Sequence, residues 1–127
     1  MNVLLDTHAM LWFAAGDNRL SPATRRVIED PANTCYISMA SWWEIAIKCS
    51  LDRLQLTKPL SSFLADRVDE GFRVLDIEMT HLLPLTQLPF HHRDPFDRLI
   101  VCQAMAEDMP ICSADENFAA YDVKLIW

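Results

Sequence analysis

The amino-acid sequence predicts an α/β fold, in which helices cover both faces of a parallel sheet of four to five strands. Short strand-like segments alternate along the chain with helical segments, as they do in proteins built around a parallel sheet. Of the 127 residues, 51% are hydrophobic and 23% are charged, which is typical of a packed domain and not of a disordered chain. We therefore expect residues 1–127 to form a single domain.

The first predicted strand is the apolar run Val3, Leu4 and Leu5, which ends at Asp6 and has the pattern of a short buried strand. Four further short segments are predicted as strands. In chain order, the predicted strands are residues 3–5, 35–38, 73–77, 111–113 and 123–127.

Capping residues and prolines mark the predicted helices. Ser21 followed by Pro22 is typical of a helix start, and Asp94 followed by Pro95 has the same form. The predicted helices are residues 8–15, which end before Gly16, then 21–30, 39–51, 59–70, 79–88 with an interruption at Pro84, and 94–108, followed by one or two helical turns at 116–121.

Net charge and glycine content exclude several classes of function. A net charge of −7 argues against a protein that holds nucleic acid through a broad basic surface. A small nuclease remains compatible with it, because acids that bind divalent cations make the formal charge negative. Gly16 and Gly71 are the only glycines, so the glycine-rich loops of P-loop and dinucleotide-binding proteins are excluded.

Membrane and secreted proteins are not expected. No apolar run approaches the roughly 20 residues that cross a bilayer, and no positive n-region or cleavage site follows Met1. The four cysteines lie among apolar residues without a C-x-x-C pair. We therefore expect reduced thiols in the core of a cytoplasmic protein; they are Cys35, Cys49, Cys102 and Cys112.

Two acids directly follow predicted strands. Asp6 ends the first strand, and Asp115 lies two residues beyond the strand at 111–113. In open α/β sheets, ligands bind beyond the carboxyl ends of the strands. The fold alone therefore predicts that these two carboxylates lie at the same edge of the sheet.

The acids near this edge also have local explanations. Asp6 could serve as the N-cap of the helix that follows it. Glu44 could form a capping box with Ser41 and an i,i+4 ion pair with Lys48. However, the helix around Glu44 is apolar on most faces, and a carboxylate in a buried helix needs a partner or a metal ion.

The remaining acids allow the same two interpretations. Asp94 could be an N-cap, with Asp97 in the first helical turn where the helix dipole favours an acid. Asp115 and Glu116 again resemble an N-cap region. For each acid taken alone, the structural explanation is at least as good as a functional one.

Taken together, the acids lack matching cations. Lys48, Arg93 and Arg98 are the only basic side chains close to them in sequence. Two like charges about 4 Å apart repel by about 4 kcal/mol in a medium of dielectric constant about 20. Mg²⁺ and Mn²⁺ bind carboxylate oxygens and bridge them to phosphate, so a divalent metal site would relieve this repulsion.

Four sequence segments carry a resemblance to a known family. They are LLDTH at residues 4–8, SWWEIAIK at 41–48, HHRDPFDRLI at 91–100 and SADENF at 113–118. In this order and at these separations they resemble the PIN-domain family, and more narrowly the VapC-type toxins of prokaryotic toxin–antitoxin pairs. The resemblance extends from residue 3 to residue 127.

The resemblance implies a PIN-like central parallel sheet and a Mg²⁺- or Mn²⁺-dependent endoribonuclease that acts as the toxin of a type II toxin–antitoxin pair. It also implies an RNA substrate, a homodimer and a small cognate antitoxin. The catalytic and metal-binding acids would be Asp6, Glu44, Asp97 and Asp115. Less certain contributors are Asp94, Ser113 and Glu116, with Arg93 and Arg98 as candidate phosphate contacts.

Other functions are weighed against this one. A catalytically silent PIN-like binding module would act through protein partners, but this sequence keeps all four acids. A phosphoacceptor receiver domain would need a second acid beside Asp6 and a lysine after a late strand, and this sequence has neither. Zinc is disfavoured because the histidines lack H-x-x-x-H spacing, so surface or substrate-facing roles are expected for His81, His91 and His92.

The tryptophans could stack on bases, although core or dimer positions are expected for Trp12, Trp42, Trp43 and Trp127. The helix that carries Trp42 and Trp43 has more apolar surface than one buried stripe needs. We therefore expect it to pack in the core and also against a dimer partner or an antitoxin.

Overall fold

A five-stranded parallel sheet forms the centre of the protein, as the computed structural model of all 127 residues shows. The strand order is β3-β2-β1-β4-β5, and all four neighbouring pairs are parallel. The predicted α/β class is confirmed. The strands are β1 (Asn2–Leu5), β2 (Thr34–Ser38), β3 (Arg73–Leu75), β4 (Ile111–Cys112) and β5 (Leu125–Ile126).

Six α-helices and two 3₁₀ segments connect the strands. The 3₁₀ segments are Leu83–Gln87 and Glu116–Ala120. None of the helices combines the length and the hydrophobicity that a membrane-spanning segment requires. The helices are α1 (Thr7–Ala15), α2 (Pro22–Glu29), α3 (Met39–Ser50), α4 (Leu60–Asp69), α5 (Met79–Leu82) and α6 (Pro95–Glu107).

Three predicted elements differ from the observed ones by two or more residues at one end. The strand predicted at 73–77 ends at Leu75, and the one predicted at 123–127 is reduced to Leu125–Ile126; both are edge strands, which pair with one neighbour only. The interruption predicted near Pro84 in the helix at 79–88 is confirmed. The α-helical part ends at Leu82 and continues as a 3₁₀ segment, because Pro84 has no N–H for an α-helical hydrogen bond.

Strand β1 shows why the core has two halves. Val3 and Leu5 lie in an apolar cluster on one face of the sheet, together with residues of α1, α3 and α4. Leu4 lies in a second cluster that includes Ile100 of α6. Since successive side chains of a strand alternate between faces, a wholly apolar strand is what burial on both sides requires.

The strand register determines which residues reach the carboxyl edge, by which we mean the edge where the C-terminal ends of the parallel strands lie. Leu5 pairs with Ile37 of β2 and with Cys112 of β4. The next residue of each strand is therefore Asp6, Ser38 and Ser113, respectively. All three are polar, and all three are buried.

All four cysteines are free thiols, as the sequence predicts. Burial raises the pKa of Cys35 to about 11 and that of Cys112 to about 12. These thiols therefore stay protonated near neutral pH, and protonated thiols are poor nucleophiles and poor metal ligands.

Candidate metal centre at the carboxyl edge

Five carboxylates from four parts of the chain converge at the carboxyl edge. Their charges act on one another: Asp94, Asp6 and Glu44 all raise the pKa of Asp97, and Asp115 raises that of Asp6. The fold therefore brings together all four acids that the sequence singled out as principal candidates. We call the set the acidic cluster; it consists of Asp6, Glu44, Asp94, Asp97 and Asp115.

Asp6 is both a helix cap and a member of the acidic cluster. Its Oδ1 accepts a hydrogen bond of 2.8 Å from the Ala9 amide, which makes it the N-cap of α1. Its Oδ2 accepts a hydrogen bond of 2.5 Å from Ser113 Oγ. Burial raises the pKa of Asp6, so the two hydrogen bonds fix the carboxylate without fully compensating its charge.

Glu44 projects from α3 into the same region and is only 6% exposed. Its Oε1 accepts a hydrogen bond of 2.8 Å from Thr7 Oγ1, and its Oε2 lies 2.7 Å from Lys48 Nζ. The predicted ion pair with Lys48 is confirmed. The capping box with Ser41 is wrong, because α3 begins at Met39 and Ser41 lies within the helix, with its Oγ 2.9 Å from Thr7 Oγ1.

The start of α6 supplies two further acids. Asp94 is the N-cap, and its Oδ1 accepts a hydrogen bond of 3.0 Å from the Asp97 amide. Burial, and then the charge of Asp94, raise the pKa of Asp97 from 3.8 to about 7. The protein therefore does not fully compensate the charge of the Asp97 carboxylate.

Ser113 connects the acids that follow two neighbouring strands. Its Oγ donates to Asp6 and accepts a hydrogen bond of 3.0 Å from the Asp115 amide. Asp115 caps the second 3₁₀ segment, with its Oδ1 accepting a hydrogen bond of 2.9 Å from the Asn117 amide. Glu116, the secondary candidate beside it, is exposed at the start of that segment.

His92 belongs to this site, and the sequence did not predict its contacts with the acids. It is 8% exposed, and its Nε2 lies 2.8 Å from Asp115 Oδ2 and 3.1 Å from Asp97 Oδ2. Of the two roles expected for the histidines, surface or substrate-facing, the surface position is wrong for His92 and for His81, which is fully buried and lies 2.8 Å from Glu107. The sequence feature that could have indicated the role of His92 is its position two residues before Asp94, the N-cap of α6.

The two candidate phosphate-binding arginines differ in position. Arg93 is exposed and remains a candidate. Arg98 is buried and donates hydrogen bonds to the carbonyl oxygens of Leu88 and Pro89, at 3.1 and 3.0 Å, while its guanidinium lies over the ring of Phe90. Because its donors are used inside the protein, the structure favours a role in shaping the loop before α6 over a phosphate contact.

The tryptophans divide between core and surface. Trp42 is buried and packs against Phe63 of α4. Trp43 is 58% exposed and contacts Phe96, the second residue of α6, with 5.2 Å between ring centres. Trp12 packs edge-to-face against Trp127. As expected, α3 packs in the core and leaves apolar surface uncovered.

The arrangement suits a divalent cation. The only cationic or histidine groups that directly contact the principal acids are Lys48, at Glu44, and His92. Each carboxylate oxygen can accept about two interactions, so the existing hydrogen bonds leave lone pairs available. A cleft of about 330 Å³ lies in front of Asp6 and Asp115. A hard cation that prefers oxygen ligands would compensate the excess charge.

The raised pKa of Asp97 predicts how stability depends on pH. Between about pH 4 and pH 7 the folded protein keeps the Asp97 proton while the unfolded chain has lost it, so the unfolding free energy falls as pH rises, by up to about 1.4 kcal/mol per pH unit. In EDTA, Asp97→Asn should therefore have a higher unfolding free energy than wild type at pH 7.5. At pH 4 this difference in unfolding free energy should be smaller. Urea unfolding at both pH values measures this. Equal pH dependence in the two proteins would contradict the assignment.

Comparison with known proteins identifies relatives along most of the chain. Residues 3–124 match the PIN-domain family. Ribonuclease VapC22 of Mycobacterium tuberculosis is 31% identical over 120 residues, which cover 94% of this chain and 91% of that protein.

Solved structures share the fold. VapBC2 from Rickettsia felis, bound to a DNA fragment from its promoter, aligns with a TM-score of 0.74 at 16% identity and covers 100% of this chain and 99% of that one. FitAcB from Neisseria gonorrhoeae aligns with a TM-score of 0.61 at 19% identity, covering 100% and 97%. The chain belongs to the PIN-domain family and is related to the VapC ribonucleases along most of its length.

Proposed function

We propose that this protein is a divalent-metal-dependent endoribonuclease that acts as the toxin of a type II toxin–antitoxin pair. The acidic cluster is the observation that carries the proposal, because four parts of the chain place carboxylates at one edge and leave Asp97 with a strongly raised pKa. The similarity to Ribonuclease VapC22 supports RNA as the substrate.

Asp6, Glu44, Asp97 and Asp115 are the residues that would hold the metal ion, with Asp94 beside them. Their donor set consists of carboxylate oxygens, which favours Mg²⁺ or Mn²⁺ over zinc. When bound, such an ion supplies Lewis-acid stabilisation of the phosphate and makes the hydrolytic water more acidic. Ser113 remains a secondary contributor through its hydrogen bond to Asp6.

The protein's own part in the reaction is to hold the carboxylates in fixed directions. Asp6 is held from both sides by Ala9 and Ser113, and Glu44 by Thr7 and Lys48. Such fixed orientation lowers the reorganisation that the reaction requires. Hydrolysis by in-line attack on the phosphodiester would leave a 5′-phosphate and a 3′-hydroxyl.

An acidic protein needs local positive charge to approach RNA. The exposed Arg93 follows His92 in the loop before α6, and Arg19, whose guanidinium also pairs with Asp17 at 2.7 Å, lines the cleft in front of Asp6. We propose that contacts of this kind, and not the overall charge of −7, bring the phosphate to the site. A protein with this function acts in the cytoplasm, where its RNA substrates are.

An antitoxin and a second copy of the chain are the proposed partners. The structural neighbours include a toxin–antitoxin complex from Klebsiella pneumoniae, with a TM-score of 0.65. An arginine of an antitoxin could replace a metal ion as the countercharge of the acidic cluster. The exposed Trp43, packed on Phe96, provides apolar surface for a homodimer or antitoxin contact.

Cleavage of total cellular RNA by the purified protein tests the proposed activity. We expect discrete fragments with 5′-phosphate ends in Mg²⁺ or Mn²⁺, and none in EDTA. Asp97→Asn and Asp6→Asn should each lower the rate at least about 100-fold, because each removes several kcal/mol of charge stabilisation. Sequencing of the fragment ends would identify the RNA.

Asp69→Asn is the matched control, because Asp69 is an exposed acid at the end of α4, outside the acidic cluster. This variant should cleave RNA at the wild-type rate. Cleavage of RNA by Asp97→Asn at the wild-type rate would overturn the assignment of Asp97 to the metal site. A folded wild-type protein that neither cleaves RNA nor binds Mn²⁺ would instead favour the catalytically silent binding module.

The toxin role predicts an effect on growing cells. Expression of the wild-type chain in a bacterial host should slow growth, because RNA hydrolysis limits protein synthesis, whereas expression of Asp97→Asn to the same level should not. Growth curves with matched protein levels measure this. A wild-type chain that cleaves RNA in vitro but leaves growth unchanged would contradict the toxin role and leave the nuclease activity standing.

A further inference from the structure

The loop before α6 holds the backbone of His92 in place. The His92 amide donates a hydrogen bond of 2.9 Å to Tyr121 Oη, which itself donates to the Pro89 carbonyl at 2.5 Å. The His92 carbonyl oxygen accepts a hydrogen bond of 3.4 Å from the buried Arg98. The imidazole packs against Phe118, with 5.3 Å between ring centres. A buried arginine and a buried tyrosine thus fix the position from which the ring extends.

The ring's hydrogen bonds define its tautomer. Nδ1 accepts a hydrogen bond of 3.2 Å from the Asp94 amide, so in the neutral ring this nitrogen carries the lone pair and Nε2 carries the proton. The Nε2–H group faces Asp115 Oδ2 at 2.8 Å and lies 3.1 Å from Asp97 Oδ2. One N–H group therefore lies between two carboxylates of the acidic cluster.

This tautomer does not suit metal ligation by His92. The ligand atoms of His92, Asp97 and Asp115 lie within 4.8 Å of one another, which would be compatible with a His-Asp-Asp metal site. A neutral imidazole that binds a metal through Nε2 must carry its proton on Nδ1. That proton would point at the Asp94 N–H group, so ligation would break the hydrogen bond that orients the ring.

We propose that His92 is a positioning residue of the acidic cluster and acts through its Nε2–H group; this inference rests on the proposed function. Asp115 has one oxygen held by the Asn117 amide and the other by His92. Its side chain is 33% exposed, so loss of the second donor would free it to rotate. The same N–H group reduces the repulsion between Asp115 and Asp97, which have no arginine or lysine partner.

Three substitutions separate the functions of the ring. In His92→Gln, the side-chain amide places an N–H donor near the position of Nε2. In His92→Asn, the shorter amide can accept from Asp94 in place of Nδ1 but does not reach Asp115. His92→Ala removes both groups. His91→Gln is the matched control, because His91 is the exposed neighbour and contacts Tyr121 instead of the acidic cluster.

The first readout is calorimetric titration of the full chain with Mn²⁺ alone, with urea unfolding to confirm that each variant is folded. His92→Ala and His92→Asn should weaken Mn²⁺ binding about 10- to 100-fold, the usual effect of losing a group that orients a ligand. His92→Gln should restore most of the affinity, and His91→Gln should bind as wild type does.

The second readout is the tautomer itself, observed by two-bond ¹H–¹⁵N correlation of the histidine rings. We expect the Nε2–H form of His92 in the metal-free protein and the same form after Mg²⁺ is added. An Nδ1–H form, or transfer of the proton from Nε2 to Nδ1 on addition of Mg²⁺, would overturn the positioning role in favour of direct ligation.

Four further outcomes of these experiments separate the positioning role of His92 from the proposed ribonuclease activity. Wild-type Mn²⁺ affinity in a folded His92→Ala would overturn the inference, and equal weakening in His92→Gln and His92→Ala would show that packing against Phe118 matters and the N–H group does not. If Mn²⁺ binding depends on His92 but no RNA is cleaved, the inference holds and the ribonuclease proposal fails. A wild-type protein without saturable Mn²⁺ binding overturns both.

Discussion

Repulsion between carboxylates at the carboxyl edge is the constraint on which the rest of the site depends. Parallel strands end together, so the register of β1 with β4 places Asp6 beside Ser113 and brings Asp115 close. Burial strengthens the repulsion because it removes the water that would screen the charges. Burial is the main cause of the raised pKa values of Asp6 and Asp97, and the charges of the neighbouring carboxylates raise them further.

The protein reduces this repulsion with hydrogen-bond donors more than with cations. Backbone amides at helix starts hold Asp6, Asp94 and Asp115, while the hydroxyls of Thr7 and Ser113 hold Glu44 and Asp6. Capping and function are therefore not alternatives here. A cap fixes one oxygen of a carboxylate in a known direction and leaves lone pairs for a metal ion.

Much of the fold and part of the site could be predicted from the sequence. The apolar run before Asp6 and the Asp94-Pro95 helix start are local signals, and strand-end topology brings Asp6 and Asp115 to one edge. The roles of His92, Arg98 and Thr7 were not predictable, because they depend on how a loop folds back and which way a side chain turns. Those features arise from packing between segments distant in sequence, such as the contact of Tyr121 with the His92 amide.

We propose that the acidic cluster requires a divalent cation, and anomalous diffraction from crystals soaked in MnCl₂ is the most direct test. We predict a manganese peak among the carboxylates of Asp6, Glu44, Asp97 and Asp115, absent from crystals of Asp97→Asn. The ligand atoms of Glu78, His81 and Glu107 also lie close together, with Glu107 at the C-terminal end of α6, and serve as an internal comparison. A peak only at that second group, or no peak at all, would contradict the account.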